Sequence, residues 1–214
     1  MLRRYPRPSG RASERPPVSD HDREVAGRFG YEYFDGERRH GYGGYKYHPR
    51  YWTDVVLDIS SQYRLASATS VLDVGCAKGF MLRDLKQLHP HLQLVGIDVS
   101  TYALQNADQH VSDCLIQASA DSLPFPNDSF DLVIAINSLH NLPHEGAGAA
   151  LSEIARVSRR HAFVMVDGWN TISEKVALDS WVLTAKTVLH EQDWLRLFSE
   201  SGYDGDYWFW KVDS

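Results

Sequence analysis

From Ser70 onward, short apolar runs alternate with segments of helical periodicity, and no other feature of the sequence limits the possible folds so strongly. The runs are rich in Val, Ile and Leu throughout, which is typical of parallel strands that are covered on both faces. Strands that alternate with helices along a chain form a layered α/β domain. The sequence therefore predicts an α/β fold with a doubly wound, mostly parallel sheet and helices on both faces.

The same pattern places the individual elements of this part of the chain. The predicted strands are Ser70–Val74, Leu92–Asp98, Cys114–Ala118, Phe130–Ile136 and His161–Asp167, with a last one at about Tyr207–Val212. The predicted helices are Gly79–Leu88, Thr101–Asp108, His144–Ser158 and Glu191–Glu200.

The chain before Ser70 has a different composition and divides into two parts. Residues 1–20 are rich in Pro and Arg and lack apolar periodicity, so we expect a disordered tail. Residues 21–69 show helical periodicity at Asp22–Phe34 and Trp52–Tyr63, with a stretch of glycines and tyrosines between them. We expect residues 70–214 to form the main domain.

Charge and hydropathy restrict the partners of the chain. The formal net charge is −6, and because residues 1–20 contribute +3, the remainder carries −9. Nucleic acids bind basic surfaces, so a nucleic-acid partner is disfavoured and a small molecule is preferred. No run approaches the ~18 apolar residues of a membrane helix. We therefore expect no membrane partner, a cytoplasmic location and a monomer or homodimer.

A glycine turn follows the first predicted strand, in the run Val71–Phe80. Gly75 and Gly79 permit positive φ and let backbone amides approach a ligand, although any tight turn from a strand to a helix needs such residues. The strand Leu94–Asp98 ends in a carboxylate where a ribose diol would lie. Because the turn lacks the full G-x-G-x-x-G spacing, an adenosyl ligand is favoured over a nicotinamide dinucleotide.

Four successive motifs carry a family resemblance. They are Val71–Phe80, the strand that ends at Asp98, Asp121–Phe125 and Asp128–Val133. From residue 70 to about residue 202 the chain resembles the class I S-adenosylmethionine-dependent methyltransferases of the small-molecule type. The resemblance implies a Rossmann-like, seven-stranded sheet with an antiparallel last strand, S-adenosylmethionine as cofactor, and a catalytic domain at residues 70–214.

The resemblance also implies roles for residues near the methionine part of the cofactor. Asp73 matches the acidic residue that holds the amino group, and Gly75 and Gly79 match the glycines of the turn. Ala77 stands where a glycine is commoner, and we expect it to narrow the loop slightly without loss of binding. Asn137 matches a position that faces the methionine part.

A second set of residues corresponds to the adenosine part. Asp98 matches the carboxylate that binds the ribose, and Val99 matches an apolar residue against the adenine. Ser119 stands where the family usually has an aspartate that accepts from the adenine amino group. Recognition of the adenine is then expected to rest on Ser119, on the Ala120 amide or on Asp121.

Candidate catalytic residues lie near the ends of later strands and in the aromatic segment. A hydroxyl or ammonium acceptor needs a base, and His140 and Asp167 are candidates because each follows a strand; each could instead have only a structural role. In families of this kind an N-terminal extension often closes over the substrate, so residues 21–69 are expected to form a helical, aromatic lid. Tyr42 and Tyr45 would face the sulfonium in cation–π contacts, although tyrosines here could equally pack the helices onto the sheet. No pair of histidines has metal-ligand spacing, so we expect no metal site.

Three functions remain open from the sequence. The leading hypothesis is methyl transfer from S-adenosylmethionine to a hydroxyl or amino group of a small molecule. A second is use of the same cofactor without methyl transfer, by intramolecular cyclisation or elimination that releases methylthioadenosine. The third is a non-catalytic protein that binds the cofactor, for which the missing acidic residue at position 119 is the only indication.

Overall fold

The computed structural model describes residues 18–66 and 69–212, so residues 1–17 of the predicted tail at residues 1–20 lie outside the described residues. Its centre is a seven-stranded sheet. The strands are β1 (Ser70–Val74), β2 (Gln93–Asp98), β3 (Leu115–Gln117), β4 (Phe130–Ile136), β5 (Ser158–Trp169), β6 (Leu189–His190) and β7 (Asp206–Trp210). Their order is β3-β2-β1-β4-β5-β6, and β7 also pairs with β5. The predicted α/β fold is confirmed.

Eight α-helices of the described residues connect these strands or precede them. They are α1 (Asp20–Ala26), α2 (Tyr31–Phe34), α3 (Pro49–Tyr63), α4 (Phe80–Leu88), α5 (Thr101–Gln105), α6 (His144–Val157), α7 (Ile172–Trp181) and α8 (Glu191–Glu200). None of the helices in this part of the chain is both long and apolar enough to cross a membrane.

The expectation of an antiparallel last strand is wrong. Strand β7 runs parallel to β5, with Phe163 opposite Asp206 and Asp167 opposite Trp210. The chain between these two strands passes through α7 and α8. Such a crossover returns the chain to the end of the sheet at which β5 starts, so β7 has the same direction as β5.

Further differences from the sequence-based expectation concern β6, which was not predicted, and the helices α1, α2 and α7. The predicted helix Asp22–Phe34 is two helices, because the chain turns between them through Phe29 at a φ of 49°. Helix α1 begins at Asp20, inside the predicted tail, where Ser19 and Asp22 form a capping box. Helix α7 was not predicted, although the sequence carries a second capping box, in which the Thr171 hydroxyl accepts from the Glu174 amide.

The helices cover both faces of the sheet with separate apolar cores. On one face, α3, α4 and α7 pack against alternate residues of the strands, and Ile59, Leu82 and Phe163 are fully buried there. On the other face, α6 and α8 do the same around Trp194 and Leu151. Because both faces of the sheet are covered, polar side chains are accessible mainly at the ends of the strands. The residues that follow the carboxyl ends can therefore form a site.

The segment before β1 packs on the loops that follow the first two strands and on the end of α7. The Ser100 hydroxyl, just after β2, donates to the Phe29 carbonyl at 2.5 Å. At the other side, the Arg23 guanidinium donates to the Val182 carbonyl at 2.7 Å. We call residues 20–47 the N-terminal cap, because these contacts hold it against the loops that carry the predicted site.

Candidate active site

The glycine turn between β1 and α4 has the backbone conformation that the sequence predicts. Gly75 and Gly79 have φ of 85° and 76°. A Cβ atom at Gly75 would lie 2.3 Å from the Cβ of Ser138, so no other residue fits at that position without a shift. The Ser138 hydroxyl donates to the Val74 carbonyl at 2.7 Å and thereby joins the ends of β4 and β1. Sequence reasoning missed Ser138, because its partner is distant in the chain.

Ala77 and Asp98 connect the turn to the end of β2. Ala77 has a φ of 50°, in the left-handed region, which costs a residue other than glycine roughly 1–2 kcal/mol. Its amide donates to Oδ2 of Asp98 at 2.8 Å, and the Ser100 amide donates to Oδ1 at 2.8 Å. Burial raises the pKa of Asp98, and these backbone hydrogen bonds oppose that rise. The carboxylate therefore organises the turn in addition to its expected role toward a ribose.

Asp73 is a buried carboxylate on β1 with 4% of its surface exposed. Burial, and then the charge of Asp98, raise the pKa of Asp73 to about 8. No cationic side chain of the described residues forms an ion pair with it. A buried acid beside a second acid is stabilised in its ionised form by a cation, so this position suits the ammonium group of an amino-acid moiety.

The residues expected around the adenosine lie at the ends of β2 and β3. Val99 is 47% exposed, which leaves an apolar surface for a flat ring next to Asp98. Ser119 and Ala120 are half-buried in the turn after β3, and Asp121 is exposed. The structure thus brings the predicted positions to one end of the sheet, while their contacts with adenine stay predictions.

Asn137 follows β4 directly, beside the glycine turn. Its φ of 53° is in the left-handed region, and its amide donates to the Met165 carbonyl at 2.9 Å. The neighbouring Ser138 packs on Gly75. Asn137 therefore lies at the carboxyl ends of the central strands, where the methionine part of the cofactor is expected.

His140 and Asp167, which the sequence offers as separate candidates, form one buried pair. Nδ1 of His140 lies 3.4 Å from Oδ2 of Asp167 and accepts from the Asp167 amide at 3.3 Å. The two residues are 7% and 4% exposed. Burial raises the pKa of Asp167, and the neighbouring His140 opposes that rise. A buried acid and an imidazole in contact can hold and release one proton, as a general base requires.

The backbone around this pair is fixed by hydrogen bonds from distant parts of the chain. The His140 carbonyl accepts from the amides of Lys186 and Thr187 at 2.9 and 3.0 Å. On the opposite face of the sheet, the Trp194 indole donates to the Asp167 carbonyl at 2.8 Å. The pair is therefore held in one position before any substrate binds, which favours catalysis.

Lys78, in the glycine turn, joins the turn to the N-terminal cap. Its ammonium donates to Oδ2 of Asp35 at 2.6 Å and to the Tyr45 carbonyl at 3.1 Å. The Tyr102 hydroxyl donates to the same Asp35 oxygen at 2.7 Å. Lys78 is 6% exposed, so its ammonium is largely shielded from solvent, whereas Asp35 is only half-buried. Neither spacing nor residue type signalled the partnership in the sequence.

The predicted lid tyrosines belong to an aromatic cluster in the cap. Tyr45 stacks on Phe80, the first residue of α4, with ring centroids 5.1 Å apart, and Tyr42 lies 4.5 Å from Tyr45. Both rings also contact Phe34. The cluster is located over the glycine turn rather than at the His140–Asp167 pair, and the role of these rings toward a sulfonium stays a prediction.

A polar cleft of about 370 Å³ lies at the opposite end of the sheet. Its lining includes Arg64, Thr69, Asp131, Arg160 and His161. Thr69 precedes β1, and Asp131 is near the start of β4. The cleft is thus remote from the glycine turn. In residues 18–66 and 69–212 no group of three or more His, Cys, Asp or Glu side chains is arranged to hold a metal ion.

Comparison with known proteins identifies the domain. Residues 71–161 match a family model described as "Methyltransferase domain". The ribosomal protein L11 methyltransferase of Methylobacillus flagellatus is 30% identical over 54% of this chain and 42% of its own length. The demethylmenaquinone methyltransferase of Lactiplantibacillus plantarum is 34% identical over 50% of this chain and 47% of its own length. The chain therefore spans less than half the length of these curated relatives.

A solved structure supports the fold independently. The YcgJ protein of Bacillus subtilis superposes with a TM-score of 0.57 at 19% identity, over 68% of this chain and 66% of that chain. The strand order, the glycine turn after β1 and the region that the family model matches all indicate the same Rossmann-like fold. Residues 71–161 therefore form a methyltransferase domain, and the fold of the chain around them is the Rossmann-like fold of the similar solved structures.

Proposed function

We propose that this chain transfers a methyl group from S-adenosylmethionine to a hydroxyl or amino group of a small molecule, with residues 70–214 as the catalytic domain and residues 21–69 as its lid. One observation carries the proposal: two carboxylates meet at the glycine turn. Asp98 of β2 accepts from the Ala77 amide in the turn at 2.8 Å, and Asp73 of β1 lies buried close to Asp98. Two carboxylates at a turn of left-handed residues match the ribose and the ammonium of an adenosyl amino acid.

Each part of the site has a separate task in this proposal. S-adenosylmethionine supplies an activated methyl group when it is bound. Asp73 pairs with its ammonium, Asp98 accepts from its ribose hydroxyls, and Asn137 borders its methionine part. The His140–Asp167 pair takes the proton of the acceptor, and the cap excludes water from the reacting groups.

A small acceptor is supported by the cap and by charge. The cap contacts the loops after β1 and β2 and the end of α7, so the chain itself covers part of the surface beside the carboxyl ends of the strands. The net charge of −9 outside residues 1–20 also disfavours an RNA acceptor. Among the relatives, one is named a demethylmenaquinone methyltransferase and another a ribosomal protein L11 methyltransferase.

Mass spectrometry of products from methyl-labelled S-adenosylmethionine tests the proposal. The chain is incubated with labelled cofactor and with pools of small hydroxyl and amino compounds. We expect label in an acceptor together with S-adenosylhomocysteine. Methylthioadenosine formed without an acceptor would instead indicate cyclisation or elimination, and labelled protein or RNA as the only product would contradict a small acceptor.

A further inference from the structure

Two buried indole N–H groups near Asp167 have no hydrogen-bond acceptor among the described residues. They are the Nε1 atoms of Trp169 and Trp210. Trp210 is 7% exposed. An unmet buried donor is destabilising, so nearly all such groups in folded proteins have a partner. Trp194 shows the usual arrangement, since its indole donates to the Asp167 carbonyl.

The two unpaired indoles flank Asp167 on one face of the sheet. Trp169 is two residues beyond Asp167 on β5, so the two side chains point to the same face. Trp210 lies directly opposite Asp167 in the parallel pairing of β5 with β7. Both tryptophans pack against the apolar core that contains α3, α4 and α7. The His140–Asp167 pair and two free donors therefore occupy one small region.

We infer that Trp169 and Trp210 form the acceptor subsite and bind the oxygen of an aromatic hydroxyl group, an inference that rests on the proposed methyl transfer. A hydroxyl oxygen accepts hydrogen bonds through its lone pairs and donates one through its hydrogen. The two indoles supply donors, and the His140–Asp167 pair is the acceptor of the hydroxyl hydrogen. An amine would offer further N–H groups to these donors and is a poorer match.

The surrounding side chains favour a planar ring as the carrier of this hydroxyl. Trp181 packs against Trp210 with ring centroids 6.3 Å apart, and Trp169 meets the His190 ring edge-on at 4.9 Å. Flat rings of this kind bind aromatic ligands by stacking or by edge contacts. A phenol is therefore the acceptor class that uses both the rings and the free donors.

Both indole Nε1 atoms lie below the surface, and the N-terminal cap is fastened beside the helix that carries Trp181. Arg23 of α1 forms this contact by donating to the Val182 carbonyl directly after that helix. A phenol therefore reaches the two indoles only when the side chains that cover them move.

Nuclear magnetic resonance of the indole groups tests the inference without any turnover. The full chain is labelled with ¹⁵N in its tryptophan indoles, S-adenosylhomocysteine is added, and 4-methylphenol is titrated. We expect the indole proton signals of Trp169 and Trp210 to shift downfield, whereas toluene, which has the same ring without the hydroxyl, leaves them unchanged. No shift, or equal shifts with toluene, would overturn the inference.

Three phenylalanine variants assign the signals and measure the contribution of each donor. Trp169→Phe and Trp210→Phe keep an aromatic ring and lose the N–H, and each should weaken 4-methylphenol binding about tenfold, as expected for one lost hydrogen bond. Trp208→Phe, on the same strand and face, is the control and should leave binding unchanged. If the first two variants lower the melting temperature and leave 4-methylphenol affinity unchanged, the indoles have a packing role only. The titration of the unsubstituted chain remains decisive if Trp210→Phe does not fold.

A separate measurement distinguishes failure of this inference from failure of the proposed function. Calorimetric titration of S-adenosylhomocysteine is performed on the same labelled sample. Absence of binding would contradict the proposed function. Binding of S-adenosylhomocysteine with no response of either indole to 4-methylphenol would contradict only the phenol subsite.

Discussion

The ammonium of Lys78 lies 2.6 Å from Oδ2 of Asp35, and this ion pair fastens the N-terminal cap to the glycine turn. Burial opposes ionisation of Asp35, yet hydrogen bonds from Lys78 and Tyr102 hold its pKa below the usual range. The turn that is expected to carry the cofactor and the segment that covers it therefore share one charged contact. In the proposed lid role of the cap, this contact has to break before the cap can open.

Loss of the Asp35 charge should loosen the cap. In Asp35→Asn, Lys78 remains buried without its counter-ion, which is unfavourable. We expect faster amide hydrogen exchange across residues 31–47 and faster dissociation of S-adenosylhomocysteine, measured by exchange mass spectrometry and stopped-flow fluorescence. Glu37→Gln removes an exposed acid from the same segment and is the control. Equal exchange in Asp35→Asn and the unsubstituted chain would show that the cap is held by its aromatic contacts.

Removal of the Asp98 carboxylate should weaken cofactor binding. Asp98→Ala leaves the ribose hydroxyls without a charged acceptor, so we expect a loss of roughly 1–3 kcal/mol in binding free energy by calorimetry. Because Asp98 also accepts from Ala77 and Ser100, the variant should also lose some thermal stability. Asp98→Asn keeps one acceptor oxygen for the turn, and it separates the two effects. Unchanged affinity in both variants would show that the ribose binds elsewhere.

Stability without cofactor should fall as the pH rises toward 8. The pKa of Asp73 is raised to about 8, above the ordinary value of about 3.9. The protonated carboxyl therefore stabilises the folded chain fully below about pH 4, and this contribution is lost as the pH rises through about 8. Asp73→Asn should flatten the decline in unfolding free energy, measured by urea denaturation at several pH values. An identical slope in the variant would mean that Asp73 is ionised throughout.

The same proton couples to cofactor binding. Because the ammonium of S-adenosylmethionine pairs with ionised Asp73, binding below about pH 8 releases the proton. Affinity should rise by up to about tenfold per pH unit between about pH 6 and 7.5, where the amino group of the ligand is still charged. Affinity that is independent of pH across this range would contradict the pairing.

Packing against Ser138 should account for part of the requirement for glycine at position 75. Gly75→Ala places a Cβ 2.3 Å from the Ser138 Cβ and retains a φ of 85°. We expect a lower melting temperature, and partial recovery in the double variant Gly75→Ala with Ser138→Gly. Compared with Ser138→Gly alone, which already lacks the hydrogen bond to the Val74 carbonyl, the double variant should be less stable by roughly 1–2 kcal/mol, the usual penalty of a left-handed alanine. If the stability losses of Gly75→Ala and Ser138→Gly simply add up in the double variant, the clash between the two side chains is absent.

Substitution in the His140–Asp167 pair should lower turnover much more than it lowers affinity for the cofactor. With an acceptor found by mass spectrometry, His140→Gln should reduce turnover about 10²- to 10⁴-fold, the range of a general base. Its affinity for S-adenosylhomocysteine should stay within twofold to threefold of the original. A parallel loss of affinity and turnover would indicate that His140 shapes the cofactor site instead.

Local sequence signals were sufficient for much of the fold. The strand Ser70–Val74 and the helix Glu191–Glu200 have the predicted bounds, because apolar runs and helical periodicity are properties of consecutive residues. The positive φ values at Gly75 and Gly79 were also predictable from residue type. Helix α7 was overlooked although Thr171 and Glu174 signal its start.

Long-range contacts account for the features that sequence reasoning did not find. The ion pair of Lys78 with Asp35 and the packing of Ser138 on Gly75 join residues that are far apart in the chain. The direction of β7 depends on the path through α7 and α8, so the pattern of Tyr207–Val212 alone could not establish it. His140 and Asp167 were each proposed from the end of a strand, but only the pairing of β4 with β5 brings them together.

Calorimetric titration of the full chain with S-adenosylhomocysteine tests the central claim most directly, because it requires no knowledge of the acceptor. We predict saturable binding at one site per chain, with affinity lowered at least tenfold in the double variant Asp73→Asn with Asp98→Asn. A folded chain that gives no saturable heat, or a folded double variant with unchanged affinity, would contradict a cofactor site at the glycine turn.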